Sequence, residues 1–467
     1  MKKRYYAIIF VLLIYNYDWL FLIYDFCFNK PASTLKETVH YKFLERNFTV
    51  KSDGSYAVVE KIQGVMKKKV SENFFYEMRY VNNQNDIKIL EAKSIVDGEE
   101  YIISHKKIND AKENNLDVNN SHRNKILKVP ILAKNIGDQF YIKRLVNVNS
   151  NEAFPNFFAH TLVFDSLDGA VDDIHININS EMPLYYEFNN PSNHLDIRGN
   201  YLDKFNDYTQ NYNINIKFHG PLQISNKMHW LHKSFYKNKK VDSSELTWIS
   251  VSSETKWSGL NKIMWHKYKE LLSQSLPKSF LDIANKAILI KEKDDQIEYV
   301  LLSVKKIIHY DKKRYAIKGG YLPRDLTEVE KSGYGDCKDF AFVTAVILNK
   351  IGYNANIVSI DAGASEENLF LGMQTDYFNK FLNKTLPNLG MFNHAIVMIK
   401  NEESGGREEY WIDPLHSNSI YSIPISILNK FVLVVNGNSA TLKQITHKTI
   451  LDKIYEGLNE GFRKHKY

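Results

Sequence analysis

The chain has 467 residues, 44% hydrophobic and 25% charged, which is too long for one compact core and sets two or three domains as the expectation. Its formal net charge of +7 comes from 61 basic and 54 acidic residues scattered along the sequence, with no basic patch or reading motif, so nucleic acid is set aside as a partner. Only two cysteines occur, which excludes a disulfide framework and a cysteine-ligated zinc site.

Met1-Lys2-Lys3-Arg4 makes a positive start, and Ala7 to Tyr15 is almost wholly apolar. A second apolar stretch, Trp19 to Tyr24, follows the polar Asn16 and Asp18. Residues 1–28 therefore read as a signal peptide or an uncleaved signal anchor, which predicts export and, in the uncleaved case, attachment to a membrane. Asn16 and Asp18 speak against a clean span of about 20 apolar residues. Cys27 ends this segment without a lipidation context, so Cys337 is the single thiol of the mature body.

From 38 to 225 the pattern predicts an antiparallel β-rich domain. Phe48-Thr49-Val50-Lys51 and Tyr56-Ala57-Val58-Val59 flank Ser52-Asp53-Gly54, a hairpin signal. Further strands are predicted at Ile87 to Leu90, Tyr101 to Ser104 and Ile174 to Ile178, with turns at Asp97-Gly98 and Asp168-Gly169. Short strands between regular turns suggest a sandwich or related architecture.

Residues 226–276 read as a helical connector, with Trp257, Leu260, Ile263, Met264, Tyr268 and Leu271 at helical spacing. His229 and His232 form an H-x-x-H pair with no acidic third ligand nearby, so they are read as a surface turn and no metal is assigned. Pro277 breaks the pattern, and Ala284 to Ile308 reads as two further helices. Thr327-Glu328-Val329-Glu330 then fits a capping box for a short helix that Gly333 can stop.

The chemistry-bearing stretch follows. Tyr334-Gly335-Asp336-Cys337-Lys338-Asp339 leads into Phe340, Val343, Thr344, Ile347, Leu348 and Ile351, placing Cys337 in the first turn of an amphipathic helix. Unpaired backbone N–H groups and the helix dipole at that position favour thiolate over thiol. Gly333 and Gly335 are expected to leave room for a substrate backbone. Asn393-His394 opens the apolar strand Ala395 to Ile399, and a Glu- and Gly-rich turn from Asn401 to Arg407 leads to Tyr410-Trp411-Ile412, which ends in Asp413-Pro414. Antiparallel pairing of these strands can place His394 beside Asp413, giving nucleophile, base and orienter for acyl transfer. Asp339 is read as stabilising the first turn, and His416 as a lesser rival to His394.

These segments resemble bacterial envelope proteins in which a domain of unknown function precedes a transglutaminase-like domain of the papain-like superfamily. Tyr334-Gly335-Asp336-Cys337-Lys338-Asp339 is similar to the cysteine motif of that family. Asn393-His394 and Tyr410-Trp411-Ile412-Asp413-Pro414 are similar to its histidine and aspartate motifs, with Leu415 standing where a small polar residue is usual. Trp248-Ile249-Ser250-Val251-Ser252 and Trp257 resemble the segment that closes the upstream domain. The resemblance implies an α+β multidomain protein of the periplasm or cell envelope, with a transglutaminase-like domain at 277–435 and an extension at 436–467. It also implies Cys337, His394 and Asp413 as the catalytic set.

The expected function is a thiol-dependent acyltransferase or hydrolase that forms a thioester from a peptide-like amide and passes the acyl group to an amine or to water. The alternative is a non-catalytic envelope protein that binds a partner through its β-rich domain. A protein or peptide substrate is expected, and the chemistry requires neither cofactor nor metal. The loop from Asp361 to Met391 is expected to overhang the site. The backbone N–H of Cys337 supplies one oxyanion donor, with the Tyr315 region or an upstream tryptophan as candidates for the second. Leu451 to Phe462 reads as a short amphipathic helix.

Overall fold

The computed structural model describes residues 38–445 apart from 71–73, 82–84, 113–123, 152, 165–170, 192, 200–209, 220–245, 312–320, 363–374, 402–407, 421–423, 425–426, 428 and 438–441. The expected export segment with Cys27, the expected Asp168-Gly169 turn, His229 and His232, Tyr315 and the expected C-terminal helix lie outside the described residues. Among the described residues no helix is long and apolar enough to cross a membrane.

The first half is built from β1 (Val39–Val50), β2 (Tyr56–Met66), β3 (Phe74–Val81), β4 (Asn85–Val96), β5 (Glu99–Ile102), β6 (Asn109–Lys112) and β7 (Asn124–Ile131). It continues with β8 (Gln139–Val148), β9 (Ala159–Val163), β10 (Val171–Asn189), β11 (Leu195–Arg198), β12 (Asn211–His219) and β13 (Trp248–Ser252). The hairpin expected at Ser52-Asp53-Gly54 joins β1 to β2, and Gly54 has φ +83°. A Cβ there would stand 2.5 Å from the Phe157 carbonyl oxygen, so the turn accepts only glycine. Along β2, Val58, Ile62 and Met66 are buried while their odd-numbered neighbours are not, the period of a strand with one covered face.

The large sheet runs β11-β12-β10-β1-β2-β8-β4-β5, with β13 joined to β10 and β9 to β13. A smaller sheet, β3-β7-β6, shares its core: Met78, Leu127 and Val129 cluster with Phe48, Ile62, Phe140 and Ile142. The expectation of a wholly antiparallel domain is corrected at one pair, since β1 and β10 are parallel, with Leu44 opposite Ile174 and Phe48 opposite Ile178. A tight turn forces neighbouring strands to be antiparallel, but β10 returns after a long excursion through the second sheet and is free of that constraint.

The connector boundary also moves. Residues 248–252, read within the helical connector, form β13, whose five residues are all buried between β9 and β10. A run carrying Trp, Ile and Val with every side chain covered fits a strand buried on both faces.

Beyond it come α1 (Trp257–Leu272), α2 (Lys278–Ala287), α3 (Lys293–Ile307), β14 (His309–Tyr310), α4 (Leu326–Ser332), β15 (Tyr334–Gly335) and α5 (Cys337–Lys350). They are followed by β16 (Asn354–Ile360), α6 (Thr375–Lys384), β17 (His394–Asn401), β18 (Glu408–Ile412), β19 (Phe431–Val435) and β20 (Leu442–Gln444). The five-stranded sheet β18-β17-β16-β19-β20 is antiparallel throughout. The chain is thus an α+β protein with a β-rich first half. α5 was expected to keep a solvent face, yet every residue from Cys337 to Leu348 is buried. With α2 and α3 on one side and β16 and β17 on the other, it is a central helix.

Candidate active site

Asp336 caps α5 by accepting the backbone N–H of Lys338 at 3.0 Å and of Asp339 at 3.4 Å. Asp339 reciprocates, its Oδ2 accepting the Asp336 N–H at 3.2 Å, which makes a complete capping box. The capping box read at Thr327 is therefore misplaced. α4 begins after Asp325, no side chain of that residue caps it, and the Leu326 N–H donates instead to Gln274 Oε1 at 3.1 Å. Its stop is where the sequence put it, with Gly333 at φ +64°.

The acidic pair beneath the cysteine is charge-balanced by residues the sequence reading did not single out. Arg324 donates to Asp339 Oδ2 from Nε at 3.0 Å and from Nη2 at 2.8 Å, and its backbone N–H donates to Oδ1 at 2.9 Å. The guanidinium also reaches Ser332 Oγ and the Tyr334 carbonyl, while Lys338 pairs with Asp336. Burial, together with the nearby Asp336, raises the Asp339 pKa against the pull of Arg324. The expectation that Asp339 stabilises the first turn agrees with this geometry. The room expected at Gly335 is not open to a substrate: a Cβ there would lie 2.9 Å from Asp339 Cβ and 3.0 Å from Ile308 Cγ2. That glycine lets the chain pass over the capping box.

His394 opens β17 opposite Ile360 of β16, and β17 pairs with β18 through Val397 opposite Ile412, as the strand pattern predicts. The pairing brings the start of one strand to the end of the next. His394 Nε2–H donates to Asp413 Oδ2 at 2.9 Å. Asp413 is fixed further by the Leu415 N–H on Oδ1 at 3.0 Å and by donating its own N–H to Ser417 Oγ at 3.2 Å. Lys305 reaches over from α3 and donates to the Ser417 carbonyl at 2.7 Å, tying down the turn after Asp413.

Cys337 completes the arrangement: its thiol lies near enough to His394 to act on the charge of the imidazole. Since Nε2 is taken by Asp413, Nδ1 is the ring nitrogen left for the sulfur. Burial works against a charged imidazole, but Asp413 and Cys337 outweigh it and raise the His394 pKa to about 10. Burial likewise works against the Asp413 carboxylate, and the two histidines that bond to it carry its pKa well below the ordinary 3.8. Cys337 is only 4% exposed and belongs to the core cluster of this domain.

His416 is the second histidine. Its Nδ1 lies 2.9 Å from Asp413 Oδ2, and its side chain is 65% exposed. It thus bonds to the carboxylate from the outer side, with its ring centroid 6.0 Å from that of His394. His394, Asp413 and His416 are also the group among the described residues whose donor atoms, all within 4.8 Å of one another, could hold a cation. Both ring nitrogens aim at the same carboxylate oxygen, so the three are mutually satisfied by hydrogen bonds as they stand.

The stretch from Asp361 to Met391, expected as a loop, contains α6 and a short 3-10 turn at Leu389–Met391. Phe381 and Leu382 of α6 are buried in the domain core, which explains the helix. Among the upstream tryptophans, Trp257 packs against Phe392 at 5.6 Å and is 9% exposed.

No family model and no curated protein matches the chain. Among solved structures, it is similar to a provisionally assigned protease from Parabacteroides distasonis, at 12% identity over 88% of this chain and 72% of that one, with a TM-score of 0.60. This likeness shows a shared fold across most of the chain. A provisionally assigned nutrient-binding protein from Legionella pneumophila is similar at 7% identity over 64% of this chain and 95% of that one, with a TM-score of 0.25. An M1 zinc metallopeptidase from Deinococcus radiodurans is similar at 7% identity over 56% and 53% of the two chains, with a TM-score of 0.21. The last two likenesses are too slight to carry an argument.

Proposed function

We propose that the chain is an exported thiol-dependent hydrolase or acyltransferase acting on peptide-like amides, with a papain-like, transglutaminase-like second domain. Cys337 is the nucleophile, His394 the base and Asp413 the residue that orients it. The observation that carries this reading is the imidazole of His394 held between a buried carboxylate at 2.9 Å and the chain's buried thiol.

Each group has a definite task. Asp413 holds His394 by Nε2, which turns Nδ1 to the sulfur and stabilises the imidazolium that forms when the thiol proton moves across. The thiolate attacks the amide carbon, and the leaving nitrogen takes its proton from His394. The thioester is then resolved by water or by an amine. The provisional assignment of the Parabacteroides distasonis structure as a protease favours water. The family resemblance leaves amine transfer as the companion reaction on the same intermediate.

The test is the rate of alkylation of Cys337 by iodoacetamide against pH, read by intact mass. Fast labelling at neutral pH is expected, slowed strongly in His394→Ala and only slightly in His416→Ala. Labelling confined to high pH and indifferent to His394 would leave the non-catalytic binding protein as the reading.

A further inference from the structure

We propose that the Tyr310 hydroxyl is the side-chain donor that receives the negative oxygen formed when Cys337 attacks an acyl carbon. The assignment rests on the thiol chemistry above and adds a residue to it.

The placement begins with the backbone. β14 lies parallel to β15 with Tyr310 opposite Gly335, and the Asp311 N–H donates to the Gly335 carbonyl at 2.8 Å. Tyr310 is thereby fixed against the segment that runs directly into Cys337. Its ring meets Phe340 edge-on, with centroids 6.5 Å apart and planes at 69°. Phe340 follows Cys337 by three positions on α5, and side chains at that spacing share one face of a helix. The phenol therefore stands on the thiol's side of α5.

Exposure separates Tyr310 from the other groups of the site. Cys337, His394 and Asp413 are nearly covered, whereas Tyr310 is 51% exposed. It is thus a group beside the cysteine turn that is open to solvent. Burial of part of the ring raises its pKa to about 12, and the charges of Cys337, Asp336 and Asp413 act in the same direction. A phenol in that field keeps its proton and is a donor throughout the neutral range.

In the first step the sulfur forms a bond to the acyl carbon and the carbonyl π pair moves onto oxygen. Tyr310 O–H and the Cys337 backbone N–H donate to that oxygen, and neither gives up its proton. Return of the pair breaks the bond to the leaving group and leaves the thioester. No electrons leave the system.

Two reagents separate this role from a merely structural one. Acylation of Cys337 by p-nitrophenyl acetate passes through an oxyanion, while alkylation by iodoacetamide displaces iodide and does not. In the full chain, Tyr310→Phe keeps the ring on Phe340 and removes only the hydroxyl. The expected result is a fall of about 10²–10³-fold in the p-nitrophenolate burst rate with the iodoacetamide rate unchanged. An unchanged burst rate, or equal falls in both rates, overturns the assignment of Tyr310 while leaving the thiol chemistry intact. If Cys337 of the natural protein resists iodoacetamide, or reacts at a rate that ignores His394→Ala, the thiol reading itself fails and takes this assignment with it.

Discussion

His394 and Asp413 are 19 residues apart in the chain and joined by a 2.9 Å hydrogen bond between side chains that are 9% and 2% exposed. The bond exists because β17 and β18 pair antiparallel, so the first residue of one strand meets the residue just past the other. A carboxylate that is buried and shared by two histidines keeps its charge to low pH, and that charge keeps His394 protonated.

Replacing Asp413 by Asn removes that charge while keeping the size of the side chain. In the natural protein, transfer to an amide leaving group should lose rate as pH rises through about 10, where His394 gives up its proton. In Asp413→Asn that alkaline limb should move to lower pH, with kcat down by at least tenfold. A pH profile of kcat with an unmoved limb would remove Asp413 from its orienting role.

The same pair makes stability depend on pH in a stated direction. His394 has its folded pKa raised from 6.5 to about 10, so its contribution is complete below 6.5 and is lost as pH climbs through about 10. Asp413 has its folded pKa depressed below 3.8, so its contribution is complete above 3.8 and is lost as pH falls through the folded value. The two overlap fully between 3.8 and 6.5, where the natural protein should gain most over His394→Gln in urea unfolding. A gap between the two proteins that stays constant up to pH 10 would contradict the pairing.

Arg324 and Asp339 are 3% and 2% exposed, and Arg324 also fastens Ser332 and the Tyr334 carbonyl beside the cysteine turn. Arg324→Met leaves a buried carboxylate without its cation and should destabilise by about 3–5 kcal/mol. Adding Asp339→Leu should recover part of the loss, because the cost lies in the unpaired charge. Chemical denaturation of both variants measures this. The rate of Cys337 alkylation should follow the single substitution downward, as the capping box that holds the helix start is disturbed.

What the sequence reveals here depends on how local the cause is. The helix start at Cys337, the strand of His394 and the strand end at Asp413 are written in local periodicity and turn residues, and the meeting of His394 with Asp413 follows from one short connection. Arg324 and Tyr310 escape the same reading because neither lies in a pattern. Arg324 is a lone cation whose partner sits 15 positions away in the fold's interior, and Tyr310 belongs to a two-residue strand too short to show alternation. The parallel β1–β10 pair is hidden for a related reason: its residues are more than 120 apart and no turn signal links them. The capping box expected at Thr327 shows the limit of a four-residue motif: α4 starts at Leu326, after Asp325 and without a side-chain cap, while the complete box stands at the start of the next helix, on Asp336 and Asp339.

The first half of the chain has a mechanical connection to the candidate site. Ser250 of β13 accepts the Leu386 N–H at 3.2 Å and lies 3.1 Å from Thr161 Oγ1. Thr161 in turn accepts from Asn388 Nδ2 at 3.0 Å, and Ser252 donates to the Pro387 carbonyl at 3.0 Å. Trp248 packs edge-on against Phe381 at 5.3 Å. The segment so held, 386–388, leads through Leu389–Met391 to His394. Ser250→Ala strips a buried N–H of its acceptor and should destabilise by about 1–3 kcal/mol. Because that N–H lies on the approach to His394, the pH profile of Cys337 alkylation should also shift toward that of His394→Ala. Loss of stability with an unaltered alkylation profile would mean that the β-rich half braces the fold without setting the position of the imidazole.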